Sequence, residues 1–122
     1  MKDLSEPTAE LACHVTGKVG FENRLVGYRV RQRAGALMTP LYSFEEVVHL
    51  LNDQFPQLSL RRLEEWLRTV IGDGELADRI AEVAQEDMCD RDRMLRVRML
   101  MSARLCQCKM ASLQPTGAEA AL

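Results

Sequence analysis

Two cysteines one residue apart, Cys106 and Cys108, close the run RMLMSARLCQCKM at 98–110. Thiolates bind metals, attack electrophiles and form disulfides, so this pair is the first place to look for chemistry. Structural zinc sites commonly leave two to four residues between cysteines and redox pairs leave two, whereas CQC leaves one. On a helix, positions i and i+2 do not face the same way. A shared metal therefore requires the helix to end before Cys106. Cys89 would stand about 25 Å away along a straight helix, and Cys13 and His14 would have to come from elsewhere in the chain. Arg104 and Lys109 would lower a neighbouring thiol pKa, while a position near a helix C-terminus works against it. No metal site and no cofactor is assigned on this basis. Cys13 and Cys89 read as small buried hydrophobes.

Catalytic patterns are as thin. The chain has two histidines. His49 and Asp53 are spaced i,i+4 and could hydrogen-bond, but a base without a nucleophile or pocket is no catalytic argument. Ser43 and Ser59 are accounted for as helix caps. Glu45 and Glu46 point in different directions and make no carboxylate dyad. KVGFENRLVG lacks the spacing and lysine-serine ending of a phosphate loop. A non-enzymatic protein is expected.

Arginines offer a binding chemistry instead. SFEEVVHLL, a connection, and SLRRLEEWLRTVI together resemble the general plan of helix-turn-helix segments over about a quarter of the chain. That resemblance implies a nucleic-acid-binding regulator with Arg61, Arg62 and Arg68 on the reading helix. Arg29, Arg31 and Arg33 could then touch phosphates from a separate strand or arm. Glu64 or Glu65 would repel phosphates, NDQFPQLS is long for the tight turn, and the formal net charge is only −2. This is the alternative reading. A solvated or acid-binding edge explains RVRQR more simply.

These residues need elements to hold them. Thr39-Pro40 marks a boundary, because Pro40 biases Thr39 away from helical angles. Ser43 with Glu46 makes a capping box for a helix carrying Phe44, Val47, Val48, Leu51 and Phe55 on one face, widened by Leu50. His49 and Asp53 fall outside that face, and Pro56 ends the helix. Ser59 caps the next helix, with Leu60, Leu63, Leu67, Val70 and Ile71 inward and Trp66 at the edge. Gly72 ends it. Asp73 caps a third helix whose stripe is Leu76, Ile80, Val83 and Ala84. Asp90 caps a last, longer one running to about Met110. The segment 10–38, with Gly17, Gly20, Gly27 and Gly35, is ambiguous. With period two, Val26, Tyr28 and Val30 share a face opposite Arg29, Arg31 and Arg33, as in a hairpin. With period 3.6 a weaker stripe forms. The helical pattern downstream tips the reading towards helix.

The last helix has two apolar stripes rather than one. Met94, Val97, Met101, Leu105 and Cys108 form the first, and Leu95, Met99, Cys106 and Met110 the second, with Arg98 and Ser102 between them. Four of the seven methionines lie here, and methionine adapts to varied partners. Charge is segregated as well. From Asp73 to Asp90 the balance is −6, and from Arg91 to Lys109 it is +5. These two helices are expected to pack antiparallel and neutralise each other, or to meet across subunits.

At 122 residues, with 47% hydrophobic and 28% charged, the chain suits one folded domain. No apolar run reaches membrane-spanning length, and the acidic N-terminus broken by Pro7 is unlike a secretory signal, which points to a cytosolic protein. The expected fold is all-α: a compact bundle of four or five helices over 10–110, with a short N-terminal β-hairpin as the open question and flexible tails at 1–9 and 111–122. The expected function is a protein-interaction or regulatory module, self-associating or adaptor-like through its last helix. Met94, Leu95, Met99, Met101 and Leu105 would be its anchors, and Arg96, Arg98 and Arg104 would select the partner by charge.

Overall fold

The computed structural model describes residues 4–31, 33, 35–53 and 56–113, with the backbone alone for 112 and 113. The ambiguous segment resolves as strand. Leu25–Arg31 (β1) pairs antiparallel with Gly35–Leu41 (β2), from Leu25 opposite Leu41 to Arg31 opposite Gly35. A two-residue strand, Pro56–Gln57 (β3), joins the other edge of β1, giving the order β2-β1-β3. The fold is therefore mixed α/β, and the all-α expectation is corrected: among the described residues five α-helices accompany a three-stranded antiparallel sheet. The reason lies in LVGYRVR. Two valines, a tyrosine and a glycine are poor helix formers, whereas all but the glycine suit a pleated surface. Gly27 serves a close approach, since a Cβ there would come within 2.3 Å of Leu50 Cδ2. Thr39-Pro40 is not a boundary but lies inside β2, an edge strand, where a missing N–H costs least.

Tyr28 is exposed on β1, while Leu25 and Gly27 are buried. The period-two faces are thus real, but the tyrosine side is the outer one. On the other side Leu25 and Gly27 meet the helices, and Arg29 lies 3.9 Å from Asp53.

The helices are Ala9–Thr16 (α1), Phe44–Leu51 (α2), Leu60–Trp66 (α3), Gly74–Gln85 (α4) and Asp90–Leu113 (α5). Thr8 Oγ1 caps α1 by accepting from the Leu11 N–H. At α2 the capping box forms: Ser43 Oγ accepts from the Glu46 N–H at 3.1 Å, and the Glu46 carboxylate accepts from the Tyr42 N–H and the Ser43 hydroxyl. The helix ends at Leu51 rather than at Pro56, and Phe55 lies outside the described residues. Ser59 caps α3, which widens into a π turn over Leu67–Ile71. Gly72 closes that turn at φ +85°, its N–H and that of Asp73 both reaching the Leu67 carbonyl. Trp66, expected at the edge, is buried, and its Nε1 donates to the Asn23 carbonyl at 2.7 Å. Asp73 caps α4 through the Leu76 N–H at 3.1 Å.

One core joins these elements. Phe44, Val47 and Leu50 of α2, Leu63 of α3, Leu76, Ala77 and Ile80 of α4, and Val97, Met101 and Cys108 of α5 are fully buried in it. Ala84, expected on the α4 stripe, is exposed, and Ala77 takes its place. On its inner side α5 packs against α1, α2 and α4. Ahead of α1, Leu4 is buried and Ser5 is hydrogen-bonded to Glu75. Among the described residues no helix is long and apolar enough to cross a membrane.

Candidate functional site

With 24 residues α5 is about 36 Å long, and its two sides have different surroundings. Val97, Met101 and Cys108 are sealed in the core, with Leu100 and Leu105 nearly so. On the opposite side Leu95 is 43%, Met99 54% and Met110 55% exposed, and Cys106 is exposed beside them. The second apolar stripe is thus solvent-facing in the lone subunit. Leu95, Met99, Cys106 and Met110 fall within about 60° of one another around the helix. Ser102 and Ala103 lie at the stripe's middle.

The expected contact residues divide accordingly. Leu95 and Met99 stand on the open face, and Met94 is half-buried next to Leu95. Arg96 is exposed, with Nη1 3.7 Å from Glu86 Oε2. Arg98 is half-buried and has no ion pair among the described residues. Met101, Leu105 and Arg104 lie inside the subunit and have no surface to offer a partner.

Arg104 instead holds the fold together. Its side chain and that of Asp73 are each 2% exposed. Nε sits 2.8 Å from Asp73 Oδ2, an ion-pair contact that is off the line of a good hydrogen bond, and neither atom has a better partner among the described residues. Nη2 donates to Glu75 Oε1 at 2.7 Å, and Nη1 donates to the Ser5 carbonyl at 2.7 Å and to Gln107 Oε1 at 3.0 Å. Gln107 in turn donates to the Leu4 carbonyl. The Ser5 N–H and hydroxyl both donate to Glu75, and these bonds, aided by Arg104, hold the Glu75 carboxyl below its ordinary pKa. The charge segregation read from the sequence thus has a physical counterpart. α4 and α5 run antiparallel, with Asp73 and Glu75 meeting Arg104 at one end and Glu86 meeting Arg96 at the other.

A cleft of about 770 Å³ lies where the N-terminal half of α5 passes the end of α2 and β3. Leu51, Pro56, Met94 and Leu95 give it apolar walls, and Asp53, Asp90, Arg91 and Arg98 line it as well. Leu95 therefore belongs both to the cleft and to the open stripe. No sequence pattern pointed to this cleft, because β3 was not foreseen.

The other candidates separate in space. Cys13, Cys89 and Cys106 are exposed, so Cys13 and Cys89 are not the buried hydrophobes expected. Cys108 is buried, and its burial pushes the thiol pKa up. Cys106 and Cys108 lie on opposite sides of an unbroken helix. Among the described residues no group of three or more metal-ligating side chains comes together. His14 Nδ1 is 3.2 Å from the Ile71 carbonyl. Asp53 turns to Arg31, which binds it through two 3.0 Å hydrogen bonds, rather than towards His49 as the spacing suggested. The basic set is divided too: Arg29 and Arg31 face Asp53, and Arg68 pairs with Glu64 and Asp78. Arg33, Arg61 and Arg62 are exposed. A second exposed apolar patch lies on the hairpin, where Tyr28 stands opposite Met38. Comparison of the chain with models of known protein families, with curated proteins and with solved structures gave no match.

Proposed function

We propose that this protein is a non-enzymatic interaction module whose contact surface is the outer face of α5, and that it acts in a reducing, cytosolic setting where exposed thiols stay free. The observation that carries the reading is the line of Leu95, Met99, Cys106 and Met110, exposed on a helix whose other side is core. A helix needs one apolar side to fold onto its domain, and a second one is surplus to the fold. Contiguous exposed apolar surface of this kind marks contact sites. Methionine at two of the four positions suits a surface that must fit another one closely. The nucleic-acid alternative is weaker, because Arg29, Arg31 and Arg68 are already neutralised by carboxylates.

A photo-crosslinking amino acid at Met99, compared with one at exposed Glu82 on α4, tests the reading in cells producing the full chain. Adducts to protein, either another copy or a different chain, are expected at position 99 and not at 82. Absence of any adduct at 99 overturns the proposal.

A further inference from the structure

We infer that the occupant of this face is a second copy of the same chain, docked antiparallel about a two-fold axis that passes between Ser102 and Ala103. The inference rests on the reading of α5 as the contact surface and adds the partner and its orientation.

The order of residues along the stripe supports it. A two-fold axis perpendicular to a helix makes residues equidistant from its foot meet their counterparts at one level. From a foot between Ser102 and Ala103, Leu95 comes level with Met110 of the other copy and Met99 with Cys106 of the other copy. Ser102 comes level with Ala103. Each large side chain therefore has an apolar or thiol counterpart, and the smallest residues sit where the two helices cross. Small residues at a crossing let helices approach to the close end of the usual 8–10 Å range. The stripe also recurs at eleven residues (Leu95 with Cys106, Met99 with Met110), a period that keeps an apolar line nearly straight along a helix. Two straight faces can then meet along their whole length.

Charge fits the same partner. The stripe itself holds no ionised side chain. Of the cations beside it, Lys109 is engaged with Glu45 at 2.9 Å and Arg96 with Glu86 at 3.7 Å in their own subunit, while Arg91 and Arg98 flank Leu95 at i−4 and i+3 with no ion pair among the described residues. Along the line of Leu95, Met99, Cys106 and Met110 a second copy brings only apolar and thiol side chains to meet others of the same kind. Between Leu95 and Met110 the contact spans about 22 Å of helix, so the dimer is a small interface of the concentration-dependent class.

The test uses the full chain with Cys13→Ser and Cys89→Ser, leaving Cys106 and the buried Cys108. Met99→Cys in that background, oxidised mildly, is expected to give a disulfide-linked dimer through Cys106 of the other copy, identified by peptide mapping. Cys106→Ser is expected to abolish the link. Light scattering over a concentration series on the unmodified chain is expected to show a monomer–dimer equilibrium, weakened at least about tenfold by Met99→Glu. Circular dichroism of each variant reports that the fold is kept. A dimer that links only through two copies of Cys106, with no bond to the new thiol, overturns the antiparallel register and leaves the contact face standing. A chain that stays monomeric while position 99 crosslinks to a different protein overturns the second copy as occupant and leaves the contact face standing. No adduct and no dimer overturns both.

Discussion

Replacing Arg104 by methionine should unfold much of this protein's stability margin without touching its surface. The methionine keeps most of the aliphatic stem but removes the guanidinium that faces Asp73, and both side chains are 2% exposed. Asp73 would then be a buried carboxylate with no opposing charge. Stranding one member of a buried ion pair costs about 3–5 kcal/mol, compared with a total stability of about 5–15 kcal/mol for a domain of this kind. The lost hydrogen bonds to Ser5 and Gln107 act in the same direction. In urea, with a slope of about 2 kcal/mol per M, the midpoint should fall by about 2 M. Adding Asp73→Asn should restore part of the loss. Its side-chain oxygen still caps the Leu76 N–H of α4, but no charge is left stranded. The two changes together should therefore cost less than their sum, by up to about 3 kcal/mol. Urea titrations followed by far-UV circular dichroism on the four proteins of the cycle measure this. A single Arg104→Met variant within about 1 kcal/mol of the parent, or strict additivity, would refute the claim that the pair is an internal strut.

Gly27→Ala should lower stability by about 1–3 kcal/mol, because the new methyl meets Leu50 Cδ2 at 2.3 Å and the Gln57 carbonyl at 3.3 Å. Gly20→Ala, with nothing within 4 Å, is the matched control, and equal thermal midpoints for the two would show that β1 does not pack tightly on α2. The Glu75 latch should respond to acid. Its carboxyl titrates lower in the folded chain than the ordinary 4.5. Its contribution is thus fully present above that pH and is lost as pH falls through the folded value. Glu75→Gln should flatten this part of the acid limb of stability, and amide exchange at Ser5, whose N–H donates to Glu75, should speed up in the parent only as the carboxyl protonates.

How much of this was legible in the sequence follows from how local each signal is. Ser43, Ser59, Gly72 and Asp73 were read as helix ends, and each acts within a few residues of itself. Apolar stripes at helical spacing located α2, α3 and α4 and both sides of α5. The hairpin was legible as the period-two alternative in LVGYRVR, but the choice against helix and the third strand rest on contacts distant in sequence. Gly27 makes sense only once Leu50 is known to lie over it, and β3 is a two-residue strand with no pattern of its own. Arg104 was misplaced for a related reason. In sequence it is one of six cations on a basic helix, and its burial follows from two acids about thirty positions earlier. Periodicity shows which side chains share a side of a helix, but not which side the rest of the chain will cover. For α5 that choice fell on the stripe containing Val97, Met101 and Cys108.

The anchoring of Leu4 and Ser5 has a consequence for biosynthesis. Their carbonyls are held by Gln107 and Arg104, about a hundred positions downstream. Synthesis runs from the N-terminal side, so these two carbonyls lack their partners until α5 has been made. The helices between also lack Val97, Met101 and Cys108, the side chains that fill their shared interior. Stable closure of this domain must therefore wait until α5 clears the exit tunnel, and the nascent domain depends until then on whatever shields unfinished apolar surface in the cell.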